Sequence, residues 1–199
     1  MADDKSGRDK QAHDAEDRQQ TRALVEELER MDETEPPVEA DDLGEFEAEL
    51  GALTFPVTGT DVVASVGDYR VETADGTYTV ADLVPETADE TFDSPTALGA
   101  RVQRPTVASA MKRIVEAAET LPNETLGRSQ REAYEKTFRE LGAIDAVDED
   151  GGIEVVTDWI VDRIHEKESL PGSRGVRRQA AKFCRANGYE IRNDEWLGV

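Results

Sequence analysis

Few residue types in this 199-residue chain can carry chemistry alone: it has one cysteine, Cys184, and two histidines, His13 and His165. A single cysteine excludes an intramolecular disulfide framework. Cys184 and a lone histidine outside the N-terminal forty residues cannot build a zinc site of the His/Cys kind. No apolar run approaches the ~20 residues that a membrane-spanning helix needs. The start, MADDKSGRDK, has no apolar stretch and reads as no secretory signal. The expected location is therefore cytoplasmic. Lysine is also scarce, with six Lys against seventeen Arg.

Acid is abundant. Forty-five Asp and Glu against 23 Lys and Arg give a formal charge of −22. Such a surface stays hydrated when salt competes for water, and in dilute buffer its carboxylates repel one another. In molar salt the Debye length is roughly 3 Å, so the repulsion is screened. With so little lysine, this is the composition expected of an extreme halophile. The charge is uneven: residues 1–50 carry −12, 51–100 carry −8, 101–150 carry −2, and 151–199 carry none.

Three regions are expected: a disordered acidic arm over 1–42, a small helical and hairpin domain over 43–105, and a helical C-terminal region over 106–199 packed on it. The arm has too little apolar surface to offset the cost of ordering it, although Ala23 to Met31 reads as a marginal helix. Leu43, Phe46, Leu50 and Leu53 then share one helical face. Thr60 is the expected cap of a short helix through Val62, Val63 and Val66, which Gly67 stops. Tyr69–Thr73 and Thr77–Val80 alternate about Ala74-Asp75-Gly76, the pattern of a β-hairpin. Ala81 to Val84 reads as one helical turn before Pro85.

The rest reads as helical. Ser94-Pro95 opens a helix to about Gln103. Thr106 is the expected cap of a helix carrying Val107, Ala110, Met111, Ile114, Val115 and Ala118. Ser129 and Glu132 form an expected capping box ahead of Tyr134, Phe138 and Leu141. Asp148 to Gly152 reads as a loop. Ile153, Val156, Ile160 and Ile164 line a further helix. Leu170-Pro171-Gly172 breaks it, Ser173 caps the last helix, and Gly188 closes that helix after Asn187. Tyr189 to Val199 is expected to dock. The fold class is thus α+β, mainly helical with one hairpin and a disordered arm.

Thr54-Phe55-Pro56-Val57-Thr58-Gly59, the hairpin, Asp93-Ser94-Pro95, Arg101-Val102-Gln103-Arg104-Pro105-Thr106 and the closing Ala180 to Tyr189 together resemble an uncharacterised haloarchaeal family, a domain of unknown function. The Phe-Pro-Val helix followed by Asp-Ser-Pro is also similar to a small helical domain of bacteria and archaea, with the hairpin as an insertion. Neither resemblance implies an activity.

No catalytic, cofactor or metal residue is expected. A nucleophile needs a base beside it, and Cys184 sits on an apolar helical face with Val176, Ala180 and Phe183, where a free cysteine packs as a small hydrophobe. His165 near a helix C-terminus suits a structural role. Asp148, Asp150, Gly151 and Ile153 fit positions 3, 5, 6 and 8 of a calcium loop, but Ala146 and Thr157 then stand where ligands are required. Neither GxGxxG nor GxxxxGK[ST] occurs.

One feature departs from the acidic background. Residues 171–192 contain Arg174, Arg177, Arg178, Lys182, Arg185 and Arg192 with one acid, Glu190. On a helical wheel Arg174, Arg178, Lys182 and Arg185 fall in one arc opposite Val176, Ala180, Phe183 and Cys184. Three readings follow: internal pairing or solvation, an acidic protein partner, or nucleic acid. Phosphate contacts weaken steeply with salt, although arginine's planar fork keeps directional hydrogen bonds. The expected role is a non-enzymatic interaction or regulatory protein using Arg174, Arg177, Arg178, Lys182 and Arg185, with a nucleic-acid-associated role as the alternative. No membrane partner is expected.

Overall fold

Apolar residues spaced three and four apart become eight helices among the described residues, joined to two small antiparallel sheets. The computed structural model describes residue 38 and residues 43–51, 53–73, 76–144 and 151–189. The expectations for the acidic arm, for Ala23 to Met31, for Asp148 and Asp150, and for Ile191, Trp196 and Leu197 lie outside them. Val38 is described and buried, so the first core draws on a residue ahead of the boundary expected at 43.

The first core is built from short pieces. Helix α1 (Gly44–Leu50) buries Phe46 and Leu50. Strand β1 (Val57–Thr58) leads into α2 (Gly59–Val66), which buries Val62. The cap of α2 is Thr58, not Thr60: its hydroxyl accepts from Asp61 N at 3.2 Å and donates to the Asp61 carboxylate at 2.7 Å. The hairpin forms as β2 (Arg70–Thr73) against β3 (Gly76–Thr79), with Val71 opposite Tyr78. Its strand ends in a capping box, in which Thr79 and Asp82 each satisfy the other's backbone N–H, and so opens the single turn α3 (Val80–Leu83).

Strand β4 (Thr91–Phe92) then returns to pair with β1, Val57 facing Phe92. Two-residue strands are too short to show alternation, so this second sheet has no pattern in the sequence. Gly59 sits where it closes. Its N–H donates to Glu90 O at 2.9 Å, and the next N–H, of Thr60, donates to Thr87 O at 3.2 Å.

The second core belongs to four longer helices. After α4 (Pro95–Val102), capped by Ser94 as expected, come α5 (Pro105–Ala118), α6 (Arg128–Gly142), α7 (Gly151–Lys167) and α8 (Ser173–Ala186). Three caps differ from expectation. Helix α5 starts at Pro105 with Arg104 before it, so Thr106 lies inside the first turn. Proline suits the first helical position because the N–H it lacks would have no partner there. Helix α6 is preceded by Gly127 and α8 by Gly172, and neither has a side-chain cap, so Ser129 and Ser173 are helical. Gly151 and Gly152 belong to α7 rather than to a loop.

The expected apolar faces are the buried ones: Val107, Ala110, Met111, Ile114, Val115 and Ala118 on α5, Tyr134, Phe138 and Leu141 on α6, and Ile153, Val156, Ile160 and Ile164 on α7. Helix α5 serves both cores, since Ala108 packs with the first cluster while its other face builds the second.

Candidate functional site

Helix α8 packs against α6 and α7, and the turn before it is tied down by polar groups. Leu170 N–H donates to the Glu124 carboxylate at 2.7 Å. The Pro171 carbonyl accepts from Gln130 Nε2 at 2.9 Å and from the Tyr134 hydroxyl. Gln130 Nε2 also lies 2.9 Å from the Tyr134 oxygen. Burial pushes the Tyr134 phenol up to about 12. From pH 10 upward the unfolded chain ionises this group before the folded one does, so its contribution to stability is lost as pH rises toward 12. Tyr134→Phe removes the bond to Pro171 O and the one accepted from Gln130, and leaves Pro171 O with Gln130, which keeps that acceptor. The expected cost is about 1 kcal/mol, read by chemical denaturation, with a flatter pH dependence above 10.

The far end of α8 closes at Gly188, whose φ of 75° is a backbone conformation that a side chain resists. Between these ends Val176, Ala180, Ala181 and Cys184 are buried, and the Phe183 ring stacks tilted on Tyr189 at 6.0 Å. Burial also raises the Cys184 thiol above its ordinary value. The reactive form of a thiol is the thiolate, so an aromatic disulfide reagent at pH 8 should leave folded protein unlabelled and label it on unfolding. Rapid labelling of the folded chain would contradict this packing.

The opposite side of α8 carries the basic row. Arg174, Arg178, Lys182 and Arg185 are all exposed. Among the described residues no ion pair joins them to a carboxylate. The one hydrogen bond of their side chains runs from Arg178 Nε to Arg174 O, 3.4 Å away on the same helix. Arg177 is different: it is half-buried, stands off the row, and is not free. Four of the five expected residues are therefore together on one face. From Arg174 to Arg185 the row spans about 16 Å at the helical rise per residue.

A second feature was not legible in the sequence. A cleft of about 500 Å³ lies between β4, one side of α4 and the start of α6. In its wall Arg101 and Glu90 form an ion pair at 2.6 Å, with their side chains 12% and 5% exposed. Glu135 stands 3.9 Å from the same guanidinium nitrogen. Arg131 crosses the cleft, its Nε donating to Leu126 O at 3.0 Å and its terminal nitrogen to Asp89 O at 3.3 Å. Arg128 faces Asp93 at 4.0 Å on the exposed rim. Arg101 stands in one of the stretches that carry the family resemblance, but nothing in the spacing pairs it with Glu90.

His165 is exposed at the end of α7, and Cys184 lies inside the second core. No group of three or more His, Cys, Asp or Glu among the described residues is placed to hold a metal ion. Among the same residues no helix is long and apolar enough to cross a membrane. No curated protein and no solved structure matches the chain. Over residues 37–114, from the first core to the upper part of α5, the chain matches the model of a family of unknown function, DUF5789.

Proposed function

We propose that this is a non-enzymatic interaction or regulatory protein that works in the cytoplasm of a halophilic archaeon. Arg174, Arg178, Lys182 and Arg185 are its contact surface and an acidic protein is its partner. The observation that carries this reading is the exposed basic row, without a described counter-charge, on a helix held at both ends. Internal pairing with a described acid, the bland explanation for such a row, has no support in the ion pairs above. The half-buried Arg177 is left out of the contact.

The test is co-purification at molar KCl from the native host, comparing wild type with the fourfold alanine variant. Loss of one defined acidic partner from the variant is expected. The same partners at the same yield from both would refute the surface assignment.

A nucleic-acid-associated role is the second reading, favoured by the arginine-rich line of four cations. Neutralising four phosphates gives binding that falls steeply with salt, so this role would need base or shape contacts as well. Loss of the bound material on nuclease treatment, rather than on proteolysis, distinguishes it.

The halophilic reading has its own test. Dialysis from molar KCl to below ~0.1 M salt should unfold the chain as screening is lost, seen as loss of helical circular dichroism. An unchanged spectrum would contradict it.

A further inference from the structure

At molar salt the cations of α8 cannot hold a partner by themselves, because the Debye length there is roughly 3 Å. Apolar burial is not screened, so a contact on this row needs apolar surface beside it. The seam between α7 and α8 supplies it. Val155 of α7 is a large hydrophobic residue left 44% exposed. Trp159, one turn further on, is half-buried. Its indole reaches α8 at Gly175, where an added Cβ would stand 3.9 Å from the ring edge. At the other end of the seam, a Cβ on Gly152 would stand 2.9 Å from the Phe183 ring. Residue 152 thus lies beside 183 and 159 beside 175, so the helices run antiparallel and Val155 is level with Gln179. At about 100° per residue, Gly175 and Gln179 adjoin the arc of Arg174, Arg178, Lys182 and Arg185. The basic row is therefore one bank of an apolar strip made by Val155 and Trp159. The Arg163 guanidinium stands over the same indole, 5.8 Å from its centroid.

We propose that the α7–α8 seam docks an amphipathic acidic helix of the partner, its apolar ridge over Val155 and Trp159 and its carboxylates over the basic row. This rests on the reading of that row given above, and it adds which part of the partner is recognised and what anchors it. Interface energy concentrates in tryptophan and arginine at a water-excluding centre. Here Trp159 and Val155 are the centre, and the four cations are the rim that selects an acidic partner. The row is straight and helically periodic, so it is matched by carboxylates three and four residues apart on a facing helix. Such a helix carries apolar anchors at the same spacing along the next stripe. A nucleic acid fits less well. Asp162 and Glu166 continue the arc of Val155 and Trp159 along α7, both exposed and without an ion pair among the described residues. A polyanion laid along the seam runs into them, and Val155 offers no ring on which a base could stack.

Fluorescence tests this in the full chain at molar KCl. The chain has two tryptophans, and Trp196→Phe leaves Trp159 as the reporter. The probes are two synthetic helical peptides of about four turns, each with glutamates along one stripe. One has leucines on the adjacent stripe and the other serines; a single-stranded oligothymidylate is the third probe. The leucine peptide should shift the Trp159 emission to the blue and saturate, and the serine peptide should bind at least tenfold more weakly. Val155→Gln is an exposed change that adds no charge, with its fold confirmed by circular dichroism. It should weaken the leucine peptide about tenfold, the scale of one buried aliphatic side chain. No saturable shift, equal affinity for the two peptides, unchanged affinity in Val155→Gln, or tighter binding of the oligothymidylate would overturn the proposal. The co-purification with the fourfold alanine variant decides the basic row separately: a partner lost from that variant but retained by Val155→Gln would remove the apolar anchor and leave the row standing.

Discussion

Arg101→Ala should cost about 3–5 kcal/mol, the scale for breaking a buried ion pair from one side. Glu90 is 5% exposed on its side chain, and without Arg101 its carboxylate keeps its burial and loses its counter-ion. The pair joins the segment leading into β4 to α4, so the first core should loosen before the second. Denaturant unfolding at molar KCl reads the loss, and hydrogen exchange should place it in residues 57–102. The double change Glu90→Leu with Arg101→Met should recover most of the stability, because an apolar pair of similar volume avoids the desolvation penalty. A single variant within 1 kcal/mol of wild type would contradict the burial assigned to this pair.

Gly59→Ala is the second large effect. A methyl group built on Gly59 would lie 2.1 Å from the Pro85 carbonyl oxygen and 3.1 Å from that of Thr87. Both obstacles are backbone, so no rotamer change relieves them. The N-terminus of α2 must then move away from the 85–90 segment and strain its bonds to Thr87 O and Glu90 O. Overpacking of this kind costs about 1–3 kcal/mol, occasionally more. The contrast is Gly127→Ala, where nothing stands within 4 Å of the added carbon, and which should stay close to wild type. Equal melting temperatures for the two variants would contradict the close approach at Gly59.

How far the fold was legible depended on what each residue has to satisfy. The buried faces of α5, α6 and α7 could be read because helical periodicity repeats the same message over several turns. The hairpin was legible because alternation flanks a turn sequence. Caps were less so. Thr58 and Thr60 are both capable of capping α2, and only the backbone path through β1 selects Thr58. At α5 the local rule was present but outranked: Pro105 fixes the first helical position, and the hydroxyl of Thr106 follows it. The β1–β4 pair was invisible because two residues cannot show a period.

The two candidate surfaces differ in the same way. The basic row of α8 could be read because Arg174, Arg178, Lys182 and Arg185 recur on one helical arc against a well-marked apolar face. Arg177 already stood off that arc on the wheel, but its half-burial could not be read, since it depends on how α8 rolls against α6 and α7. The cleft was hidden altogether. It needs Glu90 from a loop, Arg101 from α4 and Arg131 from α6, which meet only in three dimensions. The acidity that dominates the composition says little about where either surface lies, since it is spread over many separate segments of the sequence.

Lysine footprinting tests the contact surface most directly. Lys182 on the α8 row and Lys167 at the end of α7 are both exposed, and both should acetylate readily in the purified chain at molar KCl. In the complex isolated from the native host at the same salt, the account predicts that Lys182 is protected while Lys167 still reacts. Equal modification of the two in free and bound protein would place the partner elsewhere and contradict the assignment of the basic row.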